Sequence, residues 1–279
     1  AVGNVLFNYR MFLLHKDARY LDVAEVALLN NVLAAVNFEG NRFFYVNPLA
    51  ADGKYPFNHG TAGRAPWFGT ACCPSNLARV IPQVPGMTYA HDDANFYVTF
   101  FAESTTTVQM GGVQVAIGQK TAYPNDGEIR LSIKPQKPAK FRLYLRIPTW
   151  TGDRFIPGKL YSYLNPSTQS FTLSVNGRPV ETPVTKGFVS IERTWKAGDR
   201  VALNLPMPVR VSRSHEAVKA NTGRIALTRG PFVLCAEGID NGGVTQRYFF
   251  DQLPKVADAM TTTKTTTIDS GSFIQVSLR

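Results

Sequence analysis

Two adjacent thiols, Cys72 and Cys73, are the side chains of this sequence with the clearest capacity for chemistry. Pro74 and a short apolar run follow them, and proline is favoured at the first position of a helix because its missing N–H would be unbonded there. The pattern predicts a helix with Cys73 near its N-cap and Cys72 just before it. The positive end of a helix favours the thiolate, the form of cysteine that attacks electrophiles and binds metals.

The residues alone leave several roles open for this pair. Two packed, inert thiols are one interpretation, because free cysteine is among the most often buried residues. A disulfide between neighbours is disfavoured by bridge geometry, and a redox role by the lack of C-x-x-C spacing. Zinc usually takes four ligands, and no Cys or His lies at finger spacing around the pair. Further zinc ligands would therefore come from distant positions or from outside this chain.

The segment before the thiols is predicted to begin with two helices. Apolar residues recur at spacings of three and four from Val2 to Leu13 and again from Leu21 to Leu33, which is typical of one helical face. Residues 16–19 form a turn between them, and Gly40 ends the second helix. One αα-hairpin cannot bury both its faces, and no initiator Met precedes it. We therefore expect a fragment of a longer protein.

Residues 41–71 are predicted to be an irregular loop that is rich in aromatic side chains. A long loop with few elements of its own is usually functional or disordered, and the aromatic residues argue against disorder. A pocket lined by aromatic rings and a few polar groups suits a sugar, so Tyr45, His59 and Trp67 are candidate substrate-binding residues. The alternative is a loop that covers the core and binds nothing.

From Asp92 onward the hydrophobic pattern changes to a period of two, which predicts β-strands. The turn signals Asn125-Asp126-Gly127 and Asn176-Gly177 separate some of them. Many short strands at regular spacing indicate an antiparallel β-sandwich. Cys235 lies in an apolar run and is predicted to be a buried structural thiol. The first set of predicted strands is Phe96–Phe101, Thr106–Gln109, Val113–Ile117, Glu128–Ile133, Phe141–Ile147, Phe171–Val175, Phe188–Glu192 and Val201–Leu205.

A second set of strands is predicted after Pro206 and is expected to be incomplete. Its members are Met207–Ser212, Arg224–Thr228, Phe232–Ala236, Arg247–Phe250 and Phe273–Leu278. The threonine-rich stretch Thr261–Thr267 is either a further strand or an exposed edge.

The overall composition is that of a globular protein and excludes several functional classes. The chain has 279 residues, with 30 basic and 20 acidic residues spread singly, so no basic cluster indicates nucleic-acid binding. No stretch approaches the ~20 apolar residues of a membrane span. A disulfide framework is not expected from three cysteines at this length. The cytoplasm and the periplasm both remain open as compartments.

Four motifs, taken in chain order, resemble glycoside hydrolase family 127, the β-L-arabinofuranosidase family. They are Phe43-Phe44-Tyr45-Val46-Asn47-Pro48-Leu49, Cys72-Cys73-Pro74-Ser75-Asn76-Leu77-Ala78-Arg79, Leu145-Arg146-Ile147-Pro148-Thr149-Trp150 and Gly223-Arg224-Ile225-Ala226-Leu227-Thr228-Arg229-Gly230-Pro231. Each motif is weak to moderate alone, and their common order makes the resemblance specific.

This resemblance implies an α+β multidomain architecture. The end of an (α/α)6 catalytic barrel would occupy residues 1–91, a first antiparallel sandwich residues 92–206, and a second sandwich residues 207–279. It also implies a zinc ion held by one Glu and three Cys, with Cys72 and Cys73 as two of the thiols. By the same resemblance Cys72 is the nucleophile of a retaining glycoside hydrolase, and a carboxylic acid protonates the leaving oxygen.

The family's Glu-x-Cys zinc ligands and its acid/base Glu have no counterpart in this chain. Glu25 and Glu39 belong to the predicted hairpin, and Cys235 belongs to a sandwich. The chain is therefore expected to hold half a zinc site and half a catalytic pair, and to need the missing N-terminal barrel region for hydrolysis of a glycan substrate. The alternative hypothesis is a non-catalytic sandwich module that binds glycan or has a structural role.

Overall fold

The computed structural model describes residues 1–164 and 169–238, and the backbone of residues 260–268 and 271–278. It begins with the predicted helical hairpin, formed by α1 (Val2–His15) and α2 (Ala18–Ala27). Lys16 ends α1 in a left-handed conformation, with φ of 50°. The Asp17 carboxylate caps α2 by accepting a hydrogen bond from the Arg19 N–H at 3.0 Å. The predicted αα-hairpin is thus confirmed.

The second helix does not end at α2 but changes its winding. A π-helical turn, Leu28–Val32, and a 3-10 turn, Leu33–Ala35, continue it. Within the π-helical turn, the Asn30 side chain donates to Pro231 O at 2.9 Å and accepts from Val233 N–H at 2.7 Å. The end of the hairpin is thereby tied to a strand about 200 residues further along the chain.

The helix that carries the thiols, α3, spans Cys72–Val80 with Ala71 at its N-cap. Cys73 thus lies near the N-cap, as predicted. The prediction that Cys72 precedes the helix was wrong, because the helix begins two residues before Pro74. A proline is tolerated there because the first four N–H groups of a helix have no partner within it. Both thiols still lie in the first helical turn.

Beyond α3, the regular structure of the described chain is mostly β-strand, as predicted. The first eleven are β1 (Tyr89–His91), β2 (Asn95–Val98), β3 (Ser104–Met110), β4 (Val113–Thr121), β5 (Glu128–Pro135), β6 (Ala139–Arg146), β7 (Tyr161–Tyr163), β8 (Thr172–Val175), β9 (Arg178–Pro179), β10 (Phe188–Trp195) and β11 (Asp199–Asn204). The others are β12 (Val209–Ser214), β13 (Ala226–Arg229), β14 (Phe232–Val233), β15 (Met260–Ile268) and β16 (Gly271–Leu278).

Two of the sheets form a sandwich around a common hydrophobic core. One has the strand order β1-β2-β6-β10, and the other β3-β4-β5-β11-β8-β9. Buried and exposed side chains alternate along β5 and β6, as expected where one face of each sheet packs on the core. The sandwich is not wholly antiparallel, because β2 and β6 pair in parallel. Their connection runs through β3, β4 and β5 of the opposite sheet, a long crossover that brings the chain back in the same direction.

A third sheet, in the order β14-β13-β12-β7, follows the sandwich. The threonine-rich stretch is a strand, β15, which pairs with β16. The predicted strand Arg247–Phe250 lies outside the described residues. Cys235 is exposed, so its predicted burial was wrong. β14 ends at Val233, and the next residue, Leu234, still donates its N–H to Leu227 O at 2.8 Å. Cys235 follows it outside the strand. No helix in the described part of the chain is long and apolar enough to cross a bilayer.

A buried ionic cluster joins the helical hairpin to the sandwich. Arg146 of β6 is fully buried and donates to Asp22 at 2.8 Å and to both carboxylate oxygens of Glu25 in α2. The Tyr123 hydroxyl donates to Glu25 at 2.8 Å, and Asp22 also accepts from the Thr149 backbone N–H at 3.1 Å. Burial disfavours the charged form of Arg146, but the surrounding acidic groups outweigh it and raise the Arg146 pKa. This cluster fixes the hairpin against the sandwich.

Candidate active site

The two thiols of α3 lie next to each other at the start of the helix. Cys72 is exposed and Cys73 is half-buried, and their sulfur atoms are 3.9 Å apart. The Ser75 hydroxyl donates to Ala71 O at 2.7 Å and the Asn76 amide to Cys72 O at 2.8 Å. These bonds hold the first turn of the helix, so the backbone under both sulfur atoms is fixed.

Tyr45, from the irregular loop, reaches Cys72 across 27 residues of sequence. Its hydroxyl lies 2.9 Å from the Cys72 sulfur. The hydrogen bond with Tyr45 lowers the pKa of Cys72 below its ordinary value, whereas the same bond raises the pKa of Tyr45. Both directions describe a phenol that donates to a thiolate.

Cys73 differs from Cys72 in its surroundings. Burial raises the pKa of Cys73, and its hydrogen bond with Cys72 raises it further. Cys72 is therefore the cysteine of the pair that loses its proton at the lower pH. The more nucleophilic and more exposed sulfur is the one that Tyr45 contacts.

The loop that carries Tyr45 is organised around a buried amide, Asn58. This side chain is 0% exposed, and its oxygen accepts from the Tyr45 N–H at 2.7 Å. Its nitrogen donates to Phe43 O at 3.1 Å and Gly63 O at 2.9 Å. The sequence analysis missed Asn58. The following His59-Gly60, a pair that suits a tight turn, was the available signal.

Of the three predicted substrate-binding residues, Tyr45 contacts Cys72, and His59 contacts Tyr45. The His59 ring packs edge-on against the Tyr45 ring with 4.4 Å between centroids, and Phe68 contacts both rings. Trp67 is 57% exposed, and its described ring contact is with Phe43, at 6.0 Å between centroids. The substrate-binding roles of Tyr45, His59 and Trp67 stay predictions.

The two thiols have the donor chemistry and spacing of half a zinc site. Two sulfur atoms that each lie ~2.3 Å from a tetrahedral zinc ion are separated by about 3.8 Å, close to the separation of the Cys72 and Cys73 sulfur atoms. The described residues contain no group of three or more His, Cys, Asp or Glu that could hold a metal ion. Glu25, whose carboxylate binds Arg146 and Tyr123, is not available as a ligand at this site.

Solved structures of glycoside hydrolases are similar to this chain in fold and sequence. A solved β-arabinofuranosidase of glycoside hydrolase family 127 matches with a TM-score of 0.80 and 43% identity, over 86% of this chain and 36% of its own. A family 127 β-L-arabinofuranosidase from Geobacillus stearothermophilus T6 matches with a TM-score of 0.76 and 35% identity, over 86% of this chain and 36% of its own. The mixed α+β fold with few helices and several antiparallel sheets is thus that of glycoside hydrolase structures.

Sequence profiles identify the family. Residues 1–86 match "Beta-L-arabinofuranosidase, GH127 catalytic domain", residues 95–207 the middle domain and residues 209–270 the C-terminal domain of this family. The chain therefore belongs to glycoside hydrolase family 127.

A bacterial relative shows how much of a full-length protein this chain spans. The non-reducing end β-L-arabinofuranosidase of Bifidobacterium longum subsp. longum is 31% identical over 270 residues, which are 94% of this chain and 37% of the relative. The chain thus spans little more than a third of the length of these relatives.

Proposed function

We propose that this chain is part of a retaining glycoside hydrolase that releases β-L-arabinofuranose or a related sugar, with Cys72 as the nucleophile. The observation that carries the proposal is the Tyr45 hydroxyl 2.9 Å from the exposed Cys72 sulfur, because this hydrogen bond favours the nucleophilic thiolate. The substrate class rests on the relatives, which are named as β-L-arabinofuranosidases.

In the proposed reaction the Cys72 thiolate attacks the anomeric carbon, and the bond from that carbon to the leaving oxygen breaks. The leaving oxygen takes a proton from a carboxylic acid, which we place outside this chain. Water then displaces the Cys72 sulfur from the sugar, gives its proton back to the same carboxylate and regenerates the thiolate. Two displacements at one carbon retain its configuration.

Cys72 and Cys73 would also hold a zinc ion, with the remaining ligands from outside this chain. Zinc bound there would keep the coordinating sulfur deprotonated at neutral pH. The contribution of the chain itself is geometric: α3 fixes the two sulfur atoms, and Tyr45 orients the one that faces solvent. The aromatic rings of His59 and Phe68 flank Tyr45 and would exclude water from that side of the sulfur.

We further propose that α1, α2 and α3 belong to a helical barrel of the (α/α)6 type. The observation that supports this is an apolar surface on α1, where Phe7 and Leu14 are 61% and 75% exposed. These residues are seven positions apart, two turns along one side of the helix, so one further helix could cover both.

The test is hydrolysis by the full-length enzyme on a β-L-arabinofuranoside. Cys72→Ser is expected to abolish hydrolysis, and Cys73→Ser to lose bound zinc. Cys235→Ser is the matched control, because this third thiol is exposed in a different sheet region and should leave both properties unchanged. Full activity of Cys72→Ser would refute the role of Cys72 as nucleophile. No hydrolysis by the unaltered full-length protein, together with glycan binding that survives both substitutions, would favour a non-catalytic glycan-binding module.

A further inference from the structure

We propose that Asn58 is a positioning residue for Cys72, which acts by holding Tyr45 in the position where its hydroxyl meets the Cys72 sulfur. The inference rests on the proposed function only in giving Cys72 the role of nucleophile. The contacts themselves are independent of that role.

The first argument is the hydrogen bonding of the Asn58 side chain. Its oxygen accepts from two successive N–H groups, those of Tyr45 at 2.7 Å and Val46 at 3.3 Å. Its nitrogen donates to the carbonyl groups of Phe43 and Gly63. The chain that carries Tyr45 has few strand partners of its own, so one buried amide replaces the ladder that a sheet would supply.

The second argument is the turn in which Asn58 lies. The Asn58 N–H donates to Thr61 O at 2.9 Å, and the Thr61 N–H donates back to Asn58 O at 3.4 Å. The two residues between them, His59 and Gly60, both have positive φ, of 51° and 95°. This conformation is costly for His59, and it turns the His59 ring onto the Tyr45 ring. The same turn thus fixes both the backbone and the ring of Tyr45.

Only an amide of this length satisfies all four backbone groups at once. Aspartate has no donor for the two carbonyl groups and would place a charge against them, and leucine satisfies none of the four. Glutamine keeps both functions but displaces them by one methylene. A shift of the Tyr45 backbone would carry its hydroxyl away from the sulfur, because the contact of 2.9 Å depends on the position of the whole ring.

The experiment measures the alkylation of each cysteine in the metal-free full chain. The chain is treated with EDTA and then with iodoacetamide at pH 7, and peptide mass spectrometry follows Cys72 and Cys235 separately. Exposed Cys235 is an internal reference for the reagent, and circular dichroism of each variant checks that it is folded. The variants are Tyr45→Phe, Asn58→Asp and the double variant. Asn30→Asp is the matched control, because that amide also bonds to backbone groups but ties the π-helical turn after α2 to the segment of β14.

We expect Tyr45→Phe and Asn58→Asp to slow the alkylation of Cys72 by a similar factor, on the order of tenfold. Each variant loses the hydrogen bond of Tyr45 to the sulfur, and a bond to a charged group has about this strength. The double variant should change it no further, because both substitutions remove the same contact. Asn30→Asp should leave the Cys72 rate unchanged, and the reference rate at Cys235 should be the same in the unaltered chain, Tyr45→Phe and Asn58→Asp.

An unchanged Cys72 rate in Asn58→Asp would overturn the inference, and so would factors that multiply in the double variant. Should circular dichroism show that Asn58→Asp is unfolded, Asn58→Gln makes the same comparison with the amide retained, and its outcomes are judged in the same way. None of these readouts uses hydrolysis, so failure here leaves the proposed function standing.

Discussion

Replacing Arg146 by methionine should release the helical hairpin from the sandwich. Methionine has a similar length and no charge, so the substitution removes the guanidinium with little change in packing. Arg146 is fully buried, and the carboxylates of Asp22 and Glu25 that it binds are 4% and 3% exposed. Both carboxylates would then lie in the interior without a cation.

The expected loss follows from this burial. Removing one partner of a buried ion pair typically costs about 3–5 kcal/mol, because the remaining charge stays desolvated. Asp22 already has a raised pKa as a result of burial, so without Arg146 it would take up a proton more readily. A loss of about 4 kcal/mol is a large part of the roughly 5–15 kcal/mol by which proteins are stable. The hairpin should therefore detach before the sandwich unfolds.

Urea unfolding, followed by circular dichroism, measures this free energy, and hydrogen exchange of α1 and α2 reports the detachment of the hairpin. Arg142→Met is the matched control on the same strand. Arg142 pairs with Glu192 at the surface, so its replacement should cost less than about 1 kcal/mol. Equal losses for the two variants would refute the reasoning, as would an Arg146→Met variant with unchanged protection of the hairpin.

Three further predictions follow from single contacts. Asp17→Ala should destabilise the chain by about 1 kcal/mol through loss of the α2 cap. Burial raises the pKa of Asp17, but its hydrogen bonds with Arg19 outweigh this and hold the pKa below the usual value. The contribution of Asp17 to stability should therefore be present at neutral pH and be lost as the pH falls below about 4, which urea titrations at several pH values would show. Gly187→Ala should destabilise the chain by about 2–4 kcal/mol, because φ is 75° and the new Cβ would lie 2.6 Å from the side chain of Ala18. The control Gly198→Ala has a φ of 94° but open space around the new Cβ, so it should cost about 1 kcal/mol, and equal melting temperatures of the two variants would contradict this. Cys235→Ser should change the unfolding free energy by less than about 0.5 kcal/mol, since the thiol is exposed, and a larger loss would place it in a packed site.

Periodicity was sufficient to predict the elements that pack on a core. The helical face from Val2 to Leu13 and the alternation along β5 and β6 both reflect burial of one side, and this requirement is visible in the sequence. Asn176-Gly177 likewise forms a tight turn with φ of 52° and 78°, as its residue types predict. The parallel pairing of β2 and β6 was not predictable in this way, because pairing direction depends on how the crossover returns to the sheet.

The polar interior was out of reach of the sequence alone. Arg146 and Glu25 are of residue types that are mostly exposed in proteins. Both are buried here because they pair with each other, although they lie 121 residues apart in the sequence. Asn58 is similar, since its four partners are backbone groups that carry no sequence signal. The reactive pair itself was recognisable, because two adjacent cysteines before a proline are an unusual local pattern. The contact of Cys72 with Tyr45 was not recognisable, because it depends on how the irregular loop of residues 41–71 folds.

The zinc content of two purified proteins tests the central claim most directly: this chain, and a polypeptide that spans the full length of its relatives. Elemental analysis should find about one zinc ion per molecule in the longer polypeptide, none in its Cys73→Ser variant, and substoichiometric zinc in the shorter chain, which supplies two of the usual four ligands. Absence of zinc from both proteins would contradict the account and leave Cys72 and Cys73 as a metal-free pair of thiols. Stoichiometric zinc in the shorter chain would contradict the division of the site.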